Sequence, residues 1–449
     1  MADRLSGSAA SLSDAGQEGF ADPFDDLIEP FHHRGIDLTL GRLQEALAEL
    51  GHPERQFPAV QVAGTNGKGS ICTLVASALK HAGLRTGLYT SPHLISWCER
   101  LRIDGRPIAE ADLRTLLQRL KPWGQRHQLT PFEWITAAAF VHFAEAPVDL
   151  AVLEVGLGGR LDATSTHPLR PVIGFASIGL DHREVLGPDL ASIAAEKAGV
   201  LSAGAVAISA PQPPEVAAVL TETAARVGSS LRWVKLACEE PDGRLSADGL
   251  SWWPGLPGGV QRANSAVALG MLRALQELGW PVADAAISAG FAAARWPGRL
   301  QPARWAGHRL LLDGAHNPPA AIALRAELDR RSAALPPEAR AADERRCFVL
   351  GMLAGKQAPV MLQALLRLHD RCWIVPVAGH SSWSLEALRS ACPELACQLH
   401  GAESTAAALD QILTDPLVPP DGGPIVVAGS LYLLADLLRH PRLQSLASH

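Results

Sequence analysis

Short runs of apolar residues recur along the first half of the chain, and amphipathic or alanine-rich segments lie between many of them. The apolar runs are predicted to be buried strands, at residues 57–63, 85–90, 149–155, 172–178 and 205–209. Residues 70–81 and 190–198 have the spacing of helices. Because strands and helices alternate, the pattern predicts an α/β unit built on a mainly parallel sheet.

A second alternation begins near Leu310. Strands are predicted at residues 309–312, 348–351, 372–376 and 425–428, with helices such as 319–331 and 359–369 between them. This order is typical of a smaller, Rossmann-like α/β unit with an open, doubly wound sheet. Residues 296–304 contain the Pro and Gly expected of a linker. The predicted division is a disordered extension over residues 1–25, a first domain over 26–297 and a second over 298–449.

Composition narrows the class of protein. Hydrophobic residues make up 47% of the 449 positions and the net charge is −6, so a basic surface for nucleic acid is not expected. The first 25 residues lack the apolar core of a signal peptide, and no run approaches the ~18 apolar residues of a membrane helix. The seven scattered cysteines favour free buried thiols in a reducing compartment. We therefore expect a cytoplasmic protein without a membrane or nucleic-acid partner.

Residues 64–70, Gly-Thr-Asn-Gly-Lys-Gly-Ser, lie between a predicted strand and a predicted helix. The three glycines let the backbone turn tightly and direct N–H groups toward an anion, and the helix N-terminus adds positive potential. Lys68 is expected to reach the β- and γ-phosphates of a nucleotide, with Ser70 or Thr65 near Mg²⁺. The spacing differs from G-x-x-x-x-G-K-[ST], because Gly69 separates the lysine from the serine. A glycine-rich turn without function is the alternative.

Polar residues stand at the carboxyl ends of several predicted strands. Glu154 lies in the strand at 149–155, and His182 follows the strand at 172–178. The carboxyl ends of parallel strands form the rim where ligands bind in open sheets, and Mg²⁺ takes one or two carboxylates with phosphate oxygens and water. Glu154 is therefore a candidate metal ligand, and an ordinary polar loop residue is the alternative for each position. Ser91 can present a hydroxyl at the same rim, although a Ser-Pro pair usually begins a turn.

Four further positions have weaker signals. Lys197 lies near a helix end that is followed by a glycine, where most lysines are solvated helix caps. Asp313 and His316 follow a predicted strand, where they belong either to the ligand-binding rim or to an ordinary β–α turn. Arg299 is singled out by its position in the linker alone.

Eight motifs, in order along the chain, resemble those of a known family. They are Ala63-Gly-Thr-Asn-Gly-Lys-Gly-Ser70, Thr90-Ser-Pro-His-Leu94, Glu99-Arg-Leu-Arg-Ile-Asp-Gly105, Phe132-Glu-Trp-Ile-Thr-Ala137, Leu153-Glu-Val-Gly-Leu-Gly-Gly-Arg-Leu-Asp-Ala-Thr164, Ala194-Ala-Glu-Lys-Ala-Gly199, Trp296-Pro-Gly-Arg-Leu300 and Leu312-Asp-Gly-Ala-His-Asn-Pro318. From about Gly35 to Leu438 the sequence resembles the folylpolyglutamate synthase/dihydrofolate synthase family, relatives of the Mur cell-wall ligases. The resemblance implies a phosphate-loop (P-loop), Mur-ligase-like ATPase domain and a smaller C-terminal Rossmann-like α/β domain.

The resemblance also implies roles for the matching positions. The ATP-binding positions would be Gly64, Thr65, Asn66, Gly67, Lys68, Gly69, Ser70, Asn264, Arg299, Asp313 and His316. The Mg²⁺ ligands would be Ser91, Glu154 and His182, the substrate positions Phe132 and (for the pterin) Asp162, and the catalytic positions Lys68, Lys197 and His316. Lys197 would be carbamylated and lie beside a second Mg²⁺, in place of the solvated cap. A monovalent cation such as K⁺ is a further implied cofactor.

The chain departs from the family pattern in three places. Val260-Gln261 stands where the family often has His-Gln, and Ser165 stands where an asparagine often follows Asp-Ala-Thr. Gly355-Lys356-Gln357 replaces a segment resembling Asp-Lys-Asp. These differences concern the finer adenine and substrate contacts and leave the expected chemistry intact.

The implied reaction is ATP-dependent addition of L-glutamate to dihydropteroate, forming dihydrofolate, and to the γ-glutamyl tail of reduced folates, through an acyl phosphate. The alternatives are a tail-extending synthase alone, a Mur-type amino-acid ligase, and a nucleotide-binding regulatory protein without ligation. A Mur ligase has an extra domain before the phosphate loop, for which the residues preceding Lys68 leave too little chain. A monomer is expected.

Overall fold

The computed structural model describes residues 24, 26–28, 37–337, 340, 345–416 and 423–445. The predicted extension over residues 1–25 lies outside these ranges except for Phe24, which is fully buried. No helix in the described ranges is long and apolar enough to cross a membrane.

The first α/β unit is built on an eight-stranded sheet in the order β4-β3-β2-β5-β1-β6-β7-β8. Its strands are β1 Ala59–Ala63, β2 Thr86–Tyr89, β3 Leu101–Ile103, β4 Arg106–Pro107, β5 Leu150–Glu154, β6 Val172–Phe175, β7 Val206–Ser209 and β8 Ser230–Trp233. All neighbours pair in parallel except those that involve β3 and β4. Each strand predicted for this unit contains one of these strands, so the mainly parallel sheet is confirmed.

Helices cover both faces of this sheet. They are α1 Gly41–Glu49, α2 Lys68–His81, α3 Glu110–Arg126, α4 Pro131–Glu145, α5 Arg183–Leu186, α6 Leu190–Ala198, α7 Pro214–Val227, α8 Gln261–Glu277 and α9 Asp284–Ala293. Alternate residues of β5 point to opposite cores: Leu150 and Val152 pack with α2, α8 and α9, while Ala151 and Leu153 pack with α1, α3 and α4. Burial on both faces explains the continuous apolar runs in the sequence. A small antiparallel sheet, β9 Cys238–Glu239, β10 Leu245–Ala247 and β11 Leu250–Trp252, precedes α8.

The second α/β unit has a seven-stranded sheet in the order β16-β15-β14-β17-β13-β12-β18. Its strands are β12 Gln301–Trp305, β13 His308–Leu312, β14 Cys347–Leu350, β15 Arg371–Ile374, β16 Leu399–Gly401, β17 Ile425–Ala428 and β18 Leu443–Ser445. Its helices are α10 Pro318–Ala333, α11 Ala358–Leu365, α12 Leu385–Ala391, α13 Thr405–Thr414 and α14 Leu431–Arg439. The α/β class of both units is confirmed; the domain boundary at 297/298 stays a prediction.

The helix predicted at residues 359–369 is shorter than expected and ends at Leu365. Leu366 is extended, and the Asp370 carboxylate accepts a hydrogen bond from the Arg367 backbone N–H at 2.9 Å. A side-chain acceptor that takes a backbone donor favours a turn over another helical turn.

The pairing of the first sheet decides which loops meet. Val62 of β1 lies opposite Glu154 of β5, and Ala63 lies opposite Phe175 of β6. Tyr89 of β2 lies opposite Leu153. The loops that follow β1, β2, β5 and β6 therefore emerge at one edge of the sheet, which is where ligands bind in open α/β sheets.

Candidate active site

The phosphate loop follows β1 and ends where α2 begins at Lys68. Gly64 has φ +139° and Gly67 has φ +102°, a backbone region that side chains other than glycine rarely adopt. A Cβ on Gly64 would lie 2.7 Å from Ala176 Cβ. The loop is therefore packed directly against the segment after β6. Because α2 begins at Lys68, the backbone N–H groups of the loop lie next to the N-terminus of that helix, as in anion-binding sites.

The side chains of Thr65 and Lys68 both make hydrogen bonds that hold the phosphate loop in place. The Thr65 hydroxyl donates to Gly179 O at 3.0 Å and accepts from Gly179 N at 3.1 Å. Lys68 Nζ donates to Thr65 O at 3.2 Å. The Thr65 hydroxyl thus anchors the loop to the segment after β6, while Ser70 is buried in the first turn of α2.

Glu154 and Ser91 form a buried pair at the ends of β5 and β2. Glu154 is 4% exposed and accepts a hydrogen bond from Ser91 N at 3.2 Å. Burial raises the pKa of Glu154 to about 7, against the opposing positive charge of Lys68. Ser91 Oγ is buried and has no hydrogen-bond partner among the described atoms. A carboxylate beside an unsatisfied hydroxyl oxygen is a donor set that fits Mg²⁺.

Two cavities meet at Ser91. A small one of about 50 Å³ is also lined by Gly69, Glu154 and Arg299. A larger cavity of about 440 Å³ is also lined by His182. The other predicted site residues that line it are Phe132, Asp162 and His316. The structure thus places Glu154 and His182 in different but adjoining cavities. Within the described residues no three His, Cys, Asp or Glu side chains converge as a metal cluster, so an ion here would need phosphate oxygens and water as well.

Lys197 is buried, and the solvated helix cap considered for it is wrong. Its side chain is 5% exposed, and its Nζ donates to Gly64 O in the phosphate loop at 2.9 Å. Burial lowers the pKa of Lys197 to about 7, and the positive charge of Lys68 acts in the same direction. An amine with this pKa is about half neutral at pH 7.

Asp162 and Phe132 line the larger cavity on the side of the first unit. Asp162 is 2% exposed and accepts hydrogen bonds from the backbone N–H groups of Gly156 at 2.9 Å and Leu157 at 3.0 Å. It also caps the short helix after it, through Thr164 N at 3.0 Å. Asp162 therefore shapes the glycine-rich loop after β5. The Phe132 ring packs directly on that loop, so closely that a Cβ added to Gly156 would overlap the ring.

Asn264 and Arg299 lie beside the phosphate loop. Asn264 is 6% exposed at the start of α8, and a Cβ on Gly67 would lie 3.1 Å from its Cγ. Arg299 lines the small cavity, and its positive charge opposes the upward shift that burial gives the pKa of Asp313. Asp313 accepts from Leu300 N at 3.0 Å and from Ala315 N at 2.9 Å, so its carboxylate also holds the segment between the two units.

His316 lies where the second unit meets the first. Burial lowers its pKa to about 4, and the positive charge of Lys356 adds to this shift. The imidazole is therefore neutral at pH 7, with Nδ1 2.8 Å from Gly314 O. His316 Nε2 is 3.8 Å from the Asp181 carboxylate of the first unit.

Sequence reasoning gave no functional role to three polar residues that join this site. Asp181 accepts from Lys356 Nζ at 2.7 Å and from Asn317 Nδ2 at 2.8 Å. Burial alone would raise the pKa of Asp181, but the Lys356 ammonium and its other neighbours hold it well below its usual range. Asp181 and Asn317 could have been suspected from the sequence, because they are the neighbours of His182 and His316 in the chain.

The fold and the site together define a phosphate-loop protein in which two adjoining cavities are lined by residues of both α/β units. The family model described as "Dihydrofolate synthetase, C-terminal domain" matches residues 299–440. Folylpolyglutamate synthase of Lacticaseibacillus casei is 32% identical over 87% of this chain and 92% of that protein. Dihydrofolate synthase/folylpolyglutamate synthase of Escherichia coli is 33% identical over 92% of this chain and 93% of that protein.

Solved structures agree with these sequence matches. Mycobacterium tuberculosis folylpolyglutamate synthase complexed with ADP and AMPPCP has a TM-score of 0.80 and 32% identity, covering 90% of this chain and 96% of that one. E. coli FolC in complex with DHPP and ADP has a TM-score of 0.78 and 32% identity, covering 92% and 95%. The chain belongs to the dihydrofolate synthase/folylpolyglutamate synthase family, and the resemblance inferred from its motifs is confirmed.

Proposed function

We propose that this chain joins L-glutamate to folates at the expense of ATP, acting both on dihydropteroate and on the γ-glutamyl tail of reduced folates. The observation that carries this proposal is that the phosphate loop, the Glu154–Ser91 pair and buried Lys197 lie at one edge of the sheet, where two cavities meet at Ser91. Related structures support it: one is a bifunctional enzyme with Mn, AMPPNP and L-glutamate bound, and another contains DHPP and ADP.

In the proposed reaction, a carboxylate oxygen of the folate attacks the γ-phosphorus of ATP, and ADP leaves. The glutamate amine then attacks the carbonyl of the acyl phosphate, phosphate leaves and the amine loses a proton. Lys68 and the N–H groups at the start of α2 face the charge that develops on the transferring phosphoryl group. This fixed positive potential stabilises the transition state without rearranging solvent.

Ser91, Glu154 and His182 would hold the divalent ion, which would neutralise charge on the nucleotide phosphates. The fit rests on the buried, unpartnered Ser91 hydroxyl beside the Glu154 carboxylate. ATP and Mg²⁺ are the proposed cofactors. The cytoplasmic location, the monomeric state and a K⁺ requirement stay predictions.

Carbamylation of Lys197 is part of the proposal. The neutral amine would add to CO₂ and release one proton, which leaves a carbamate with one negative charge near the phosphate loop. Lys197 is suited to this reaction, because burial lowers its pKa to about 7. An ordinary lysine, with a pKa near 10.4, would be almost entirely protonated at pH 7.

Both the bifunctional enzyme and a tail-extending synthase are represented among the relatives. Asp162 lines the larger cavity beside Phe132 and Leu161, and this placement supports the bifunctional enzyme, because the family resemblance assigns this position to the pterin.

The test is glutamate-dependent release of phosphate from ATP, with dihydropteroate and tetrahydrofolate as separate acceptors and Lys68→Ala as the inactive control. Turnover with both acceptors is expected. Turnover with tetrahydrofolate alone would leave a tail-extending synthase, and ATP binding without amine-dependent turnover would support the regulatory alternative.

A further inference from the structure

The side chain of Asn317 connects the two α/β units at the phosphate loop. It is 1% exposed at the N-terminus of α10, in the second unit. Its Nδ2 donates to Asn66 Oδ1 at 3.1 Å and to Asp181 Oδ2 at 2.8 Å. Its Oδ1 accepts from Asn66 Nδ2 at 3.0 Å and from Ala320 N at 3.0 Å. The amide therefore uses both of its donors and both acceptor positions.

The partners of Asn317 belong to the loops after β1 and β6, which are neighbouring strands. Asn66 lies within the phosphate loop, and its backbone N–H donates to Ser177 O at 3.2 Å. Asp181 follows β6, and its other oxygen accepts from Lys356 Nζ at 2.7 Å. Asn66, Asp181, Asn317 and Lys356 thus form one continuous set of hydrogen bonds between the units, which we call the clasp.

The clasp borders the larger cavity. Lys356 and His316 line that cavity from the second unit, and His182, next to Asp181, lines it from the first. Opening the cleft here would break two amide–amide bonds and one amide–carboxylate bond at Asn317. Hydrogen bonds to a charged group are stronger than neutral ones, so the closed arrangement is favoured where the phosphate loop meets the substrate cavity.

We propose that the clasp keeps the two units closed over the phosphate loop while an acyl phosphate exists, and that Asn317 is the positioning residue of this device. The proposal rests on the ligase function proposed above. In an open cleft, water would attack the acyl phosphate, the carbonyl–oxygen bond to phosphate would break, and the carboxylate and phosphate would be released. The net result would be hydrolysis of ATP to ADP and phosphate without an amide product.

The main test is Asn317→Ser, measured as amide formed per phosphate released with tetrahydrofolate, ATP and L-glutamate. Serine is a good N-cap, so α10 keeps its cap, but the short side chain cannot reach Asn66 and Asp181. We expect glutamate-independent phosphate release to rise about tenfold, the factor that corresponds to losing hydrogen bonds of typical strength from the closed state. The yield of amide per phosphate should fall accordingly.

Two further variants distinguish loss of the clasp hydrogen bonds from a general loss of stability. Asn317→Asp keeps the capping oxygen but removes both donated bonds and places a negative charge beside Asp181, so it should uncouple at least as strongly. Ser404→Ala removes the N-cap of α13, where Ser404 Oγ accepts from Ala407 N at 3.1 Å, and Ser404 lines neither of the two cavities. It should keep the wild-type yield even if its melting temperature falls. Wild-type yield in Asn317→Ser would overturn the proposal.

A measurement without turnover distinguishes failure of the clasp from failure of the ligase function. If the wild-type protein forms no amide, the ligase function fails, and small-angle X-ray scattering with AMPPNP and Mg²⁺ decides the clasp. A larger radius of gyration in Asn317→Ser than in Ser404→Ala would support closure by the clasp. Equal radii would overturn it.

Discussion

Gly67→Ala is a sharp test of how the phosphate loop is built. Gly67 has φ +102° immediately before α2, and a side chain in a left-handed conformation costs roughly 1–2 kcal/mol. The added methyl group would also overlap Asn264 Oδ1 and lie 3.1 Å from its Cγ. Asn264 donates to Gln261 Oε1 at 3.1 Å, and displacing it would lose a bond of about 1 kcal/mol. The total expected loss of unfolding free energy is about 2–3 kcal/mol.

Gly83→Ala is the matched control for the backbone term. Gly83 follows α2 with φ +83°, and a Cβ there would have no atom within 4 Å. It should therefore cost only about 1–2 kcal/mol. Urea denaturation measures both losses, and calorimetric titration with AMPPNP and Mg²⁺ measures nucleotide affinity. We expect Gly67→Ala to weaken AMPPNP binding about tenfold or more, which is about 1.4 kcal/mol, and Gly83→Ala to leave it unchanged.

A double-mutant cycle with Asn264→Ala isolates the steric term. In that background the methyl group on Gly67 has no amide to displace, so Gly67→Ala should cost no more than Gly83→Ala does. If Gly67→Ala costs the same with and without Asn264, or if nucleotide affinity is unaffected in the single variant, then the phosphate loop does not depend on its packing against α8.

Other variants and conditions test the rest of the site. Lys68→Ala should abolish turnover with little change in melting temperature, because Lys68 Nζ makes one long hydrogen bond of 3.2 Å within the loop; a fully active variant would remove the phosphate loop from the mechanism. EDTA should stop turnover and Mg²⁺ should restore it, whereas Glu154→Gln should need far more Mg²⁺ for the same rate. After CO₂ is removed, reactivation at one fixed concentration of dissolved CO₂ should be faster at pH 8 than at pH 6, because the pKa of Lys197 is about 7 and only the neutral amine, which predominates above that pH, reacts with CO₂. Lys197→Met should show no reactivation at either pH.

The α/β class, the positions of most central strands and the phosphate loop could be predicted from the sequence alone. These features follow from local rules: apolar runs of strand length, amphipathic spacing in helices, and glycines that permit a tight turn before a helix. Glu154 and His182 could also be placed at strand ends, because glycine and polar residues follow the apolar runs in the sequence. Their grouping at one edge then followed from assuming a parallel sheet.

Other properties were decided only by tertiary structure. A helix-end pattern is the same for a solvated and a buried lysine, so the burial of Lys197 against Gly64 depends on how α6 packs beside the phosphate loop. Asn66 and Asn317 are separated by 251 positions, and nothing local in either segment specifies their amide pair. Local sequence fixes backbone preferences over a few residues, whereas contacts between distant segments depend on strand order and on the packing of one unit against the other. For this reason the residues of the site could be predicted from the sequence, while the hydrogen bonds that join the two units around it required the folded chain.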